Sequence, residues 1–266
     1  MDIYKLLEKT NCGKCGMPTC MSFALSVVAG EKAVEACPFM DPADARRLSG
    51  MANRRQTKEG FSASINELRA RFVKLDLQSI AKSLGAEYRD GSLTIHCLVK
   101  DFSLNSLGEL DSECHINTWM ETLLLSYCLS GTPGRLSGRW VSFSELRGAA
   151  TAGPYFQRRC ETPLKAMADT HGGIFFDLLR LFGADCEKGF AADIAMAMHP
   201  LPKVPIVVIY SRAEEEMEST LRVLFDSTAA DYLGPEVITL MGRGLVEMFQ
   251  KIITKHEGCL PDLLAL

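Results

Sequence analysis

The 266 residues contain no G-x-x-x-x-G-K-S/T run, so a Walker-type phosphate loop is excluded. A complete G-x-G-x-x-G is also missing. Gly242-Arg243-Gly244 has no third glycine and sits in a helical pattern with no strand before it. His256-Glu257 is followed by Gly258-Cys259, so the H-E-x-x-H zinc-protease pattern is absent, as is any G-x-S-x-G nucleophile elbow. No window approaches the roughly 18 apolar residues that a membrane-crossing helix needs. The chain opens on Met1-Asp2 and an amphipathic pattern, unlike the cationic and apolar run of a secretory leader. A formal net charge of −4 gives no reason to expect nucleic acid or an anionic membrane surface as partner. What remains is an ordinary soluble composition, 47% apolar and 23% charged, long enough to bury a substantial core.

Cysteine is plentiful by contrast. Ten cysteines without a leader argue for a reducing compartment, the cytoplasm. Four of them, Cys12, Cys15, Cys20 and Cys37, fall in the stretch from Thr10 to Pro38 with spacing C-x2-C-x4-C-x16-C. Four converging thiolates are soft ligands that select zinc or an iron–sulfur cluster. Zinc more often takes two short cysteine pairs, whereas here the second half has one cysteine at the x4 position and one far away. Gly13 and Gly16 follow the first two cysteines and let the backbone curl closely around a bulky group. Pro18 suits the first position of a helix and would place Cys20 in its opening turn, with the positive end of the helix facing an anionic cluster. Lys14 adds a cation in the same loop. These features favour a 4Fe–4S cluster, with zinc and a disulfide as the alternatives.

The run DIYKLLEKTNCGKCGMPTCMSFALSVVAGEKAVEACP resembles the N-terminal 4Fe–4S domain of the corrinoid iron–sulfur protein large subunit of acetyl-CoA decarbonylase/synthase. A similar cysteine module occurs in the B subunit of the ion-translocating ferredoxin:NAD oxidoreductase. The resemblance implies that Cys12, Cys15, Cys20 and Cys37 are the cluster ligands. It also suggests a low potential and a place in corrinoid or one-carbon metabolism. The segments GRWVSFSEL, DIAMAMHPLPKVPIVVIY and LFDSTAADYL resemble a family of uncharacterised two-domain proteins that join such a module to a C-terminal domain of unknown function. SRAEEEMES stands where those relatives tend to carry an aromatic residue and an Asp-Glu pair.

The expected organisation is a 4Fe–4S module at residues 1–42, a linker at 43–60 and an α+β domain at 61–266. In the module, Asp2 caps a helix with Ile3, Leu6 and Leu7 on one face, packed on a helix carrying Phe23, Leu25 and Val28 that ends at Gly30. The linker holds a basic run, Arg46, Arg47, Arg54, Arg55 and Lys58, read as a solvated face with a docking patch as the sharper alternative. Ile65, Leu68 and Phe72 are in helical step. Asp90-Gly91 predicts a type I′ hairpin turn followed by alternation of Leu93, Ile95, Cys97 and Val99. Thr118 and Glu121 have capping-box spacing before a helix ending at Gly131, and Thr132-Pro133-Gly134 reads as a turn. Thr162 is the expected cap of a helix that His171-Gly172-Gly173 closes. Phe190, Ala192, Ile194, Met196 and Met198 alternate as a strand. PLPKVP reads as a stiff connector, and IVVIY and STLRVLF as further strands. Glu214, Glu215, Glu216 and Glu218 read as a solvated loop. Asp226 is a candidate cap for the helix entered at Ser227, and a last helix presents Val237, Met241, Leu245, Met248 and Ile252. Three short-linked strands in succession predict an antiparallel meander with helices on one face.

The remaining thiols and imidazoles carry no ligand spacing. Cys97 and Cys128 read as core residues. Cys114-His115, Cys160, Cys186, His199 and Cys259 read as scattered positions and not as a second metal site. Asp169-Thr170-His171 begins a corrinoid-type D-x-H-x-x-G pattern that ends on Ile174 where glycine is required. Three functions therefore stand: electron transfer with a redox protein partner, either a corrinoid protein or a ferredoxin-like donor; an enzyme whose C-terminal site the cluster supplies; and a structural metal folding a docking domain.

Overall fold

The computed structural model describes residues 2–28, 32–41, 44–45, 65–130, 134–215 and 217–256. Two compact units divide the chain, residues 1–64 and 65–266, each with its own buried cluster. The basic run from Arg46 to Lys58, the expected helix end at Gly30 and most of the expected linker lie outside the described residues.

In the first unit, α1 (Asp2–Leu6) and α2 (Cys20–Val28) pack around Leu7, Phe23, Ala24 and Val27, with Val34 of a 3₁₀ turn and Met40. The inward stripe of α2 differs from the expected one. Leu25 is 57% exposed, whereas Phe23 and Val27, four residues apart, share the buried side.

The second unit is α+β, with two antiparallel sheets. A helix through residues 65–72, α3, is separated by a break from α4 (Leu77–Leu84). That break is why the apolar period loses step after Phe72. Asp76 Oδ1 accepts the Ser79 N–H at 3.3 Å to start the new helix, and Gly85 ends it at φ 65°. Asp90 and Gly91, at φ 51° and 80°, make the expected turn between β1 (Glu87–Arg89) and β2 (Ser92–Cys97).

Leu93, Ile95 and Cys97 are buried as predicted, but then the alternation inverts: Leu98 is buried and Val99 exposed. The chain turns at these two residues into β3 (Lys100–Leu104). Leu98 takes φ 58° and donates its N–H to the Pro200 carbonyl at 3.1 Å. With the short β4 (Leu110–Asp111), these strands form a sheet in the order β1-β2-β3-β4.

Next comes α5 (Thr118–Cys128). Asn117, not Thr118, holds its cap position, and Glu121 pairs with Arg69 of α3 instead of folding back. Residues 131–133, where the helix end and following turn were expected, lie outside the described residues; the core reading of Cys128 holds at 0% exposure.

The second sheet has the order β5-β9-β8-β7-β6, from β5 (Trp140–Ser142), β6 (Asp185–Cys186), β7 (Ile194–Leu201), β8 (Val204–Ser211) and β9 (Thr220–Asp226). Its register aligns Met196, Val208 and Val223, and likewise Met198, Ile206 and Phe225, on the face turned to the core. Phe190 and Ala192 precede β7 and are not part of it. PLPKVP is mostly strand: only Pro202 and Lys203 turn, while Pro200 and Pro205 lie within β7 and β8. The register shifts between Met198 and Leu201, where Pro200 cannot donate a hydrogen bond. Glu214, Glu215 and Glu218 are exposed as expected, and Glu216 lies outside the described residues.

Between β5 and β6 run α6 (Gly153–Phe156), a π-helical turn (Gln157–Glu161) and α7 (Thr162–Leu181). Thr162 is therefore inside a continuous helical path and caps nothing. At His171-Gly172-Gly173 the helical path breaks as expected: His171 departs to φ −134°, ψ 38°, and a second helical stretch runs on from this kink to Leu181. Glu161 reaches the edge of the sheet. β5 covers only Leu224–Asp226 of β9, and at Val223 the Glu161 carboxylate accepts the backbone N–H at 2.9 Å. Burial raises the Glu161 pKa against that hydrogen bond and the charge of Arg222.

The chain ends its described part with α8 (Ala229–Tyr232) and α9 (Pro235–His256). Ile238, Met241, Leu245, Phe249 and Ile253 form the buried stripe of α9, so Val237, Met248 and Ile252 fall beside it. A Cβ at Gly242 would stand 2.8 Å from Cys160 Sγ, and one at Gly244 would stand 2.4 Å from the Trp119 ring. The Gly-Arg-Gly sequence is thus a packing device. Among the described residues no helix is long and apolar enough to cross a membrane.

Asp226 does not cap α8, whose cap position is Thr228; it staples a loop to the sheet. Its Oδ1 accepts the Ser137 N–H at 3.1 Å and the Thr228 N–H at 2.9 Å, and its Oδ2 accepts the Gly138 N–H at 2.7 Å. The residue is 2% exposed. Burial opposes its charge, but hydrogen bonds from Thr228, Ser137 and Gly138 outweigh it and hold the pKa below the ordinary carboxylate value.

Asp226→Ala strands these donors and is expected to cost about 3 kcal/mol in urea denaturation at neutral pH. Because the folded pKa is depressed, the carboxylate's contribution is complete above the unfolded value of about 3.9 and disappears as pH falls through the folded one. The gap between wild type and Asp226→Asn should accordingly close on acidification. Gly244→Ala, which drives a methyl into Trp119, should lower the unfolding free energy by about 2 kcal/mol. An unchanged midpoint would show that α9 does not approach α5 this closely.

Candidate metal centre

Four residues of the loop between α1 and α2 take positive φ: Lys9, Asn11, Gly13 and Gly16, at 58°, 50°, 70° and 76°, and the Gly16 N–H closes onto the Gly13 carbonyl at 2.9 Å. These positive angles are cheap for glycine and tolerated by asparagine. They curl Cys12 and Cys15 around the start of α2.

Thr19, not Pro18, sets the start of α2. Its hydroxyl accepts the Ser22 N–H at 3.0 Å, and Ser22 Oγ accepts the Thr19 N–H at 3.2 Å, a reciprocal cap that makes Cys20 the first helical residue. The expected opening-turn position of Cys20 holds, with Pro18 one residue outside the cap. The Cys20 N–H is taken by Asn11 Oδ1 at 2.8 Å, so one of the donors at the helix start is already satisfied within the loop. Asn11 was not singled out by the sequence. An asparagine directly before the first cysteine is the available signal, since it can adopt positive φ and cap at once.

Cys37 returns after the 3₁₀ turn, its N–H on the Val34 carbonyl at 3.3 Å. Lys32 Nζ donates to the Cys15 carbonyl at 2.9 Å, fixing the loop from the far side of α2. Lys14 Nζ lies 4.9 Å from the Phe39 ring centre, a cation–π contact at the mouth.

Cys12, Cys15, Cys20 and Cys37 together line one recess with Leu7, Met17, Phe23 and Phe39. All four are free thiols, Cys12 exposed and the others half-buried. The Lys14 backbone N–H draws the Cys12 pKa below its ordinary value. The recess is narrow, with about 10 Å³ of free volume, so a bulky group must sit at its mouth or spread the loop. Among the described residues no three His, Cys, Asp or Glu side chains gather as ligands of a single metal ion would. The donor set nevertheless fits a soft polynuclear group, with four sulfurs around one recess, apolar walls and two lysines nearby. A cluster spreads its cysteines over several irons and does not need them around one ion.

The other described thiols belong to the second unit. Cys97, Cys128 and Cys160 are buried, and burial pushes each pKa up to about 12, which makes them unreactive. Cys114 is half-buried, Cys186 and His199 are exposed, and His171 is at the α7 kink. Cys259 lies outside the described residues.

The family described as "Putative Fe-S cluster" matches residues 7–39. The chain is 40% identical over 52 residues to the corrinoid/iron–sulfur protein large subunit of Moorella thermoacetica, which covers 20% of this chain and 12% of that protein. It is 54% identical over 41 residues to the acetyl-CoA decarbonylase/synthase complex subunit gamma of Methanocaldococcus jannaschii, covering 15% of this chain and 8% of that one. The Methanopyrus kandleri subunit gamma is 48% identical over 48 residues, 18% of this chain and 10% of its own. The chain thus spans only about a tenth of the length of these curated relatives. No solved structure matches at a significant level. The family described as "Domain of unknown function (DUF3786)" matches residues 76–248, well over half of the chain. This protein therefore belongs to the DUF3786 family and carries ahead of that domain an N-terminal iron–sulfur cluster domain shared with the corrinoid/iron–sulfur protein large subunit.

Proposed function

We propose that Cys12, Cys15, Cys20 and Cys37 ligate a 4Fe–4S cluster and that the protein passes single electrons to or from a protein partner in the cell's reducing interior. The observation that carries this reading is the common recess lined by all four cysteines at the start of α2. A bound cluster supplies reversible one-electron chemistry. The chain supplies the thiolates, the capped helix start and the lysines that offset negative charge. The names of the relatives support a partner in corrinoid or one-carbon metabolism: a corrinoid protein to be reduced, or a ferredoxin-like donor. In this reading the C-terminal domain docks that partner.

Anaerobic purification with iron and sulfide analysis, followed by EPR after dithionite, tests the proposal. Near-stoichiometric cluster content and a reduced-state EPR signal are expected. Colourless, iron-free material, or zinc alone, would overturn it. Cys12→Ser, Cys15→Ser, Cys20→Ser and Cys37→Ser should each strip or disorder the cluster, whereas Cys97→Ser and Cys128→Ser should leave the spectrum unchanged.

The N-terminal core of Leu7, Phe23, Ala24, Val27, Val34, Met40 and Ala45 is too small to hold a fold by burial alone. Iron removal by a chelator should therefore raise hydrogen exchange at least tenfold in residues 2–41 and leave the slow amides of residues 65–256 unchanged.

A further inference from the structure

A cleft of about 950 Å³, within the range of small-molecule sites, opens in the C-terminal unit where α7 passes the β6–β7 edge of the second sheet. Gly172, Gly173 and Phe176 of α7 line one side, and Ile194 of β7 and Tyr210 of β8, paired in the ladder, line the other. The cleft continues the space between helix and sheet outward from the core.

The glycine pair requires explanation. Both glycines directly follow the His171 kink, so part of their role is to let the helix break there. At Gly242 and Gly244 the neighbouring atoms forbid a side chain. At Gly173 a Cβ would meet nothing within 4 Å, and at Gly172 only the rim of the Phe176 ring at 3.8 Å. Neither glycine has positive φ. Nothing in the protein's own packing excludes a side chain here; its absence keeps the cleft wide and flat-walled.

Two aromatic rings border that space. Phe176 and Tyr210 have centroids 5.6 Å apart and planes inclined at 55°. Tyr210 is held in place by donating its hydroxyl to Asp169 Oδ1 at 2.8 Å, while Lys165 Nζ donates to Asp169 Oδ2 at 2.8 Å. Burial disfavours the Asp169 carboxylate, but hydrogen bonds from Lys165, Ser219 and Tyr210 keep its pKa below the ordinary value. Burial and that carboxylate raise the pKa of Tyr210.

The charges lining the cleft are unevenly committed. Asp169 is engaged as described, Asp177 pairs with Arg180 at 2.8 Å, and Asp193 accepts the Arg212 backbone N–H at 2.7 Å. Glu187, like Lys188 and Arg212, is exposed and has no ion pair among the described residues.

We propose that this cleft binds a small organic molecule with a flat aromatic or heteroaromatic ring and one anionic group. The ring lies across Gly172 and Gly173 beside Phe176 and Tyr210, and the anion sits at Arg212 and Lys188. The site is independent of whether the N-terminal thiols hold a cluster.

Equilibrium dialysis of the full chain against FMN, riboflavin, AMP and 4-hydroxybenzoate, each up to about 1 mM, tests this. Saturable binding of at least one anionic probe is expected, with slower hydrogen exchange in residues 168–196 when it is bound. Gly173→Leu places its Cβ where no protein atom lies within 4 Å and adds bulk at the cleft wall. It should weaken that binding at least tenfold while the melting temperature holds or rises. Arg212→Gln should weaken FMN about tenfold and leave riboflavin unaffected. The proposal falls if no probe binds, if Gly173→Leu folds and binds as tightly as wild type, or if exchange slows elsewhere and not in residues 168–196. Equal binding of FMN by Arg212→Gln would remove Arg212 as the anion partner.

Discussion

The C-terminal unit depends on how closely α9 approaches its neighbours. Gly242 lets the helix settle on Cys160 of the π-helical turn, and Gly244 lets it settle on Trp119 of α5. Through these two contacts α9 holds together the first helix after one sheet and the helical path that crosses the other. The side chains between, Met241, Leu245 and Phe249, then join a single core with Leu123, Leu164, Val208 and Phe225. Neither small sheet has enough buried face to stand alone. The kinked α7 and the capped loop at Asp226 arrange themselves around that shared interior.

The N-terminal unit follows a different logic. Its burial is slight, and its loop is shaped by positive backbone angles, an asparagine side chain on the Cys20 amide and a lysine on the Cys15 carbonyl. Each of these is a polar, directional constraint of the kind that prearranges ligands and not of the kind that fills an interior. Under the proposed reading the folding energy the core lacks comes from metal–sulfur bonds, which couples cofactor loading to the presence of a folded module.

Features set by near neighbours in the chain were the ones readable in advance. The cysteine spacing, the Asp90-Gly91 turn, the apolar alternation of β2 and the antiparallel meander of β7, β8 and β9 all follow from local chemistry. Misreadings arose where a distant partner decides. Leu98 turns inward because Pro200 takes its N–H, Asp226 leaves its helix to hold Ser137 and Gly138, and Glu121 leaves its cap for Arg69. His171-Gly172-Gly173 reads as a helix boundary because glycine usually interrupts helices, and the backbone does break there, at the His171 kink between two helical stretches. The prolines of PLPKVP suggest a connector, because local patterning does not reveal the register shift that accommodates them in the sheet.

β5 is short, and β9 runs past it without a strand partner on that side. Bare margins of this kind invite other polypeptides to add themselves strand by strand. Glu161 stands guard there by occupying the Val223 amide and placing a negative charge on the rim. Since burial raises its pKa, it loses that charge sooner than an ordinary carboxylate as a solution is acidified. Protonation would strip the charge from this rim while leaving the Val223 amide bonded to a neutral carboxyl oxygen, so acid alters the electrostatics of that edge before its hydrogen bonds.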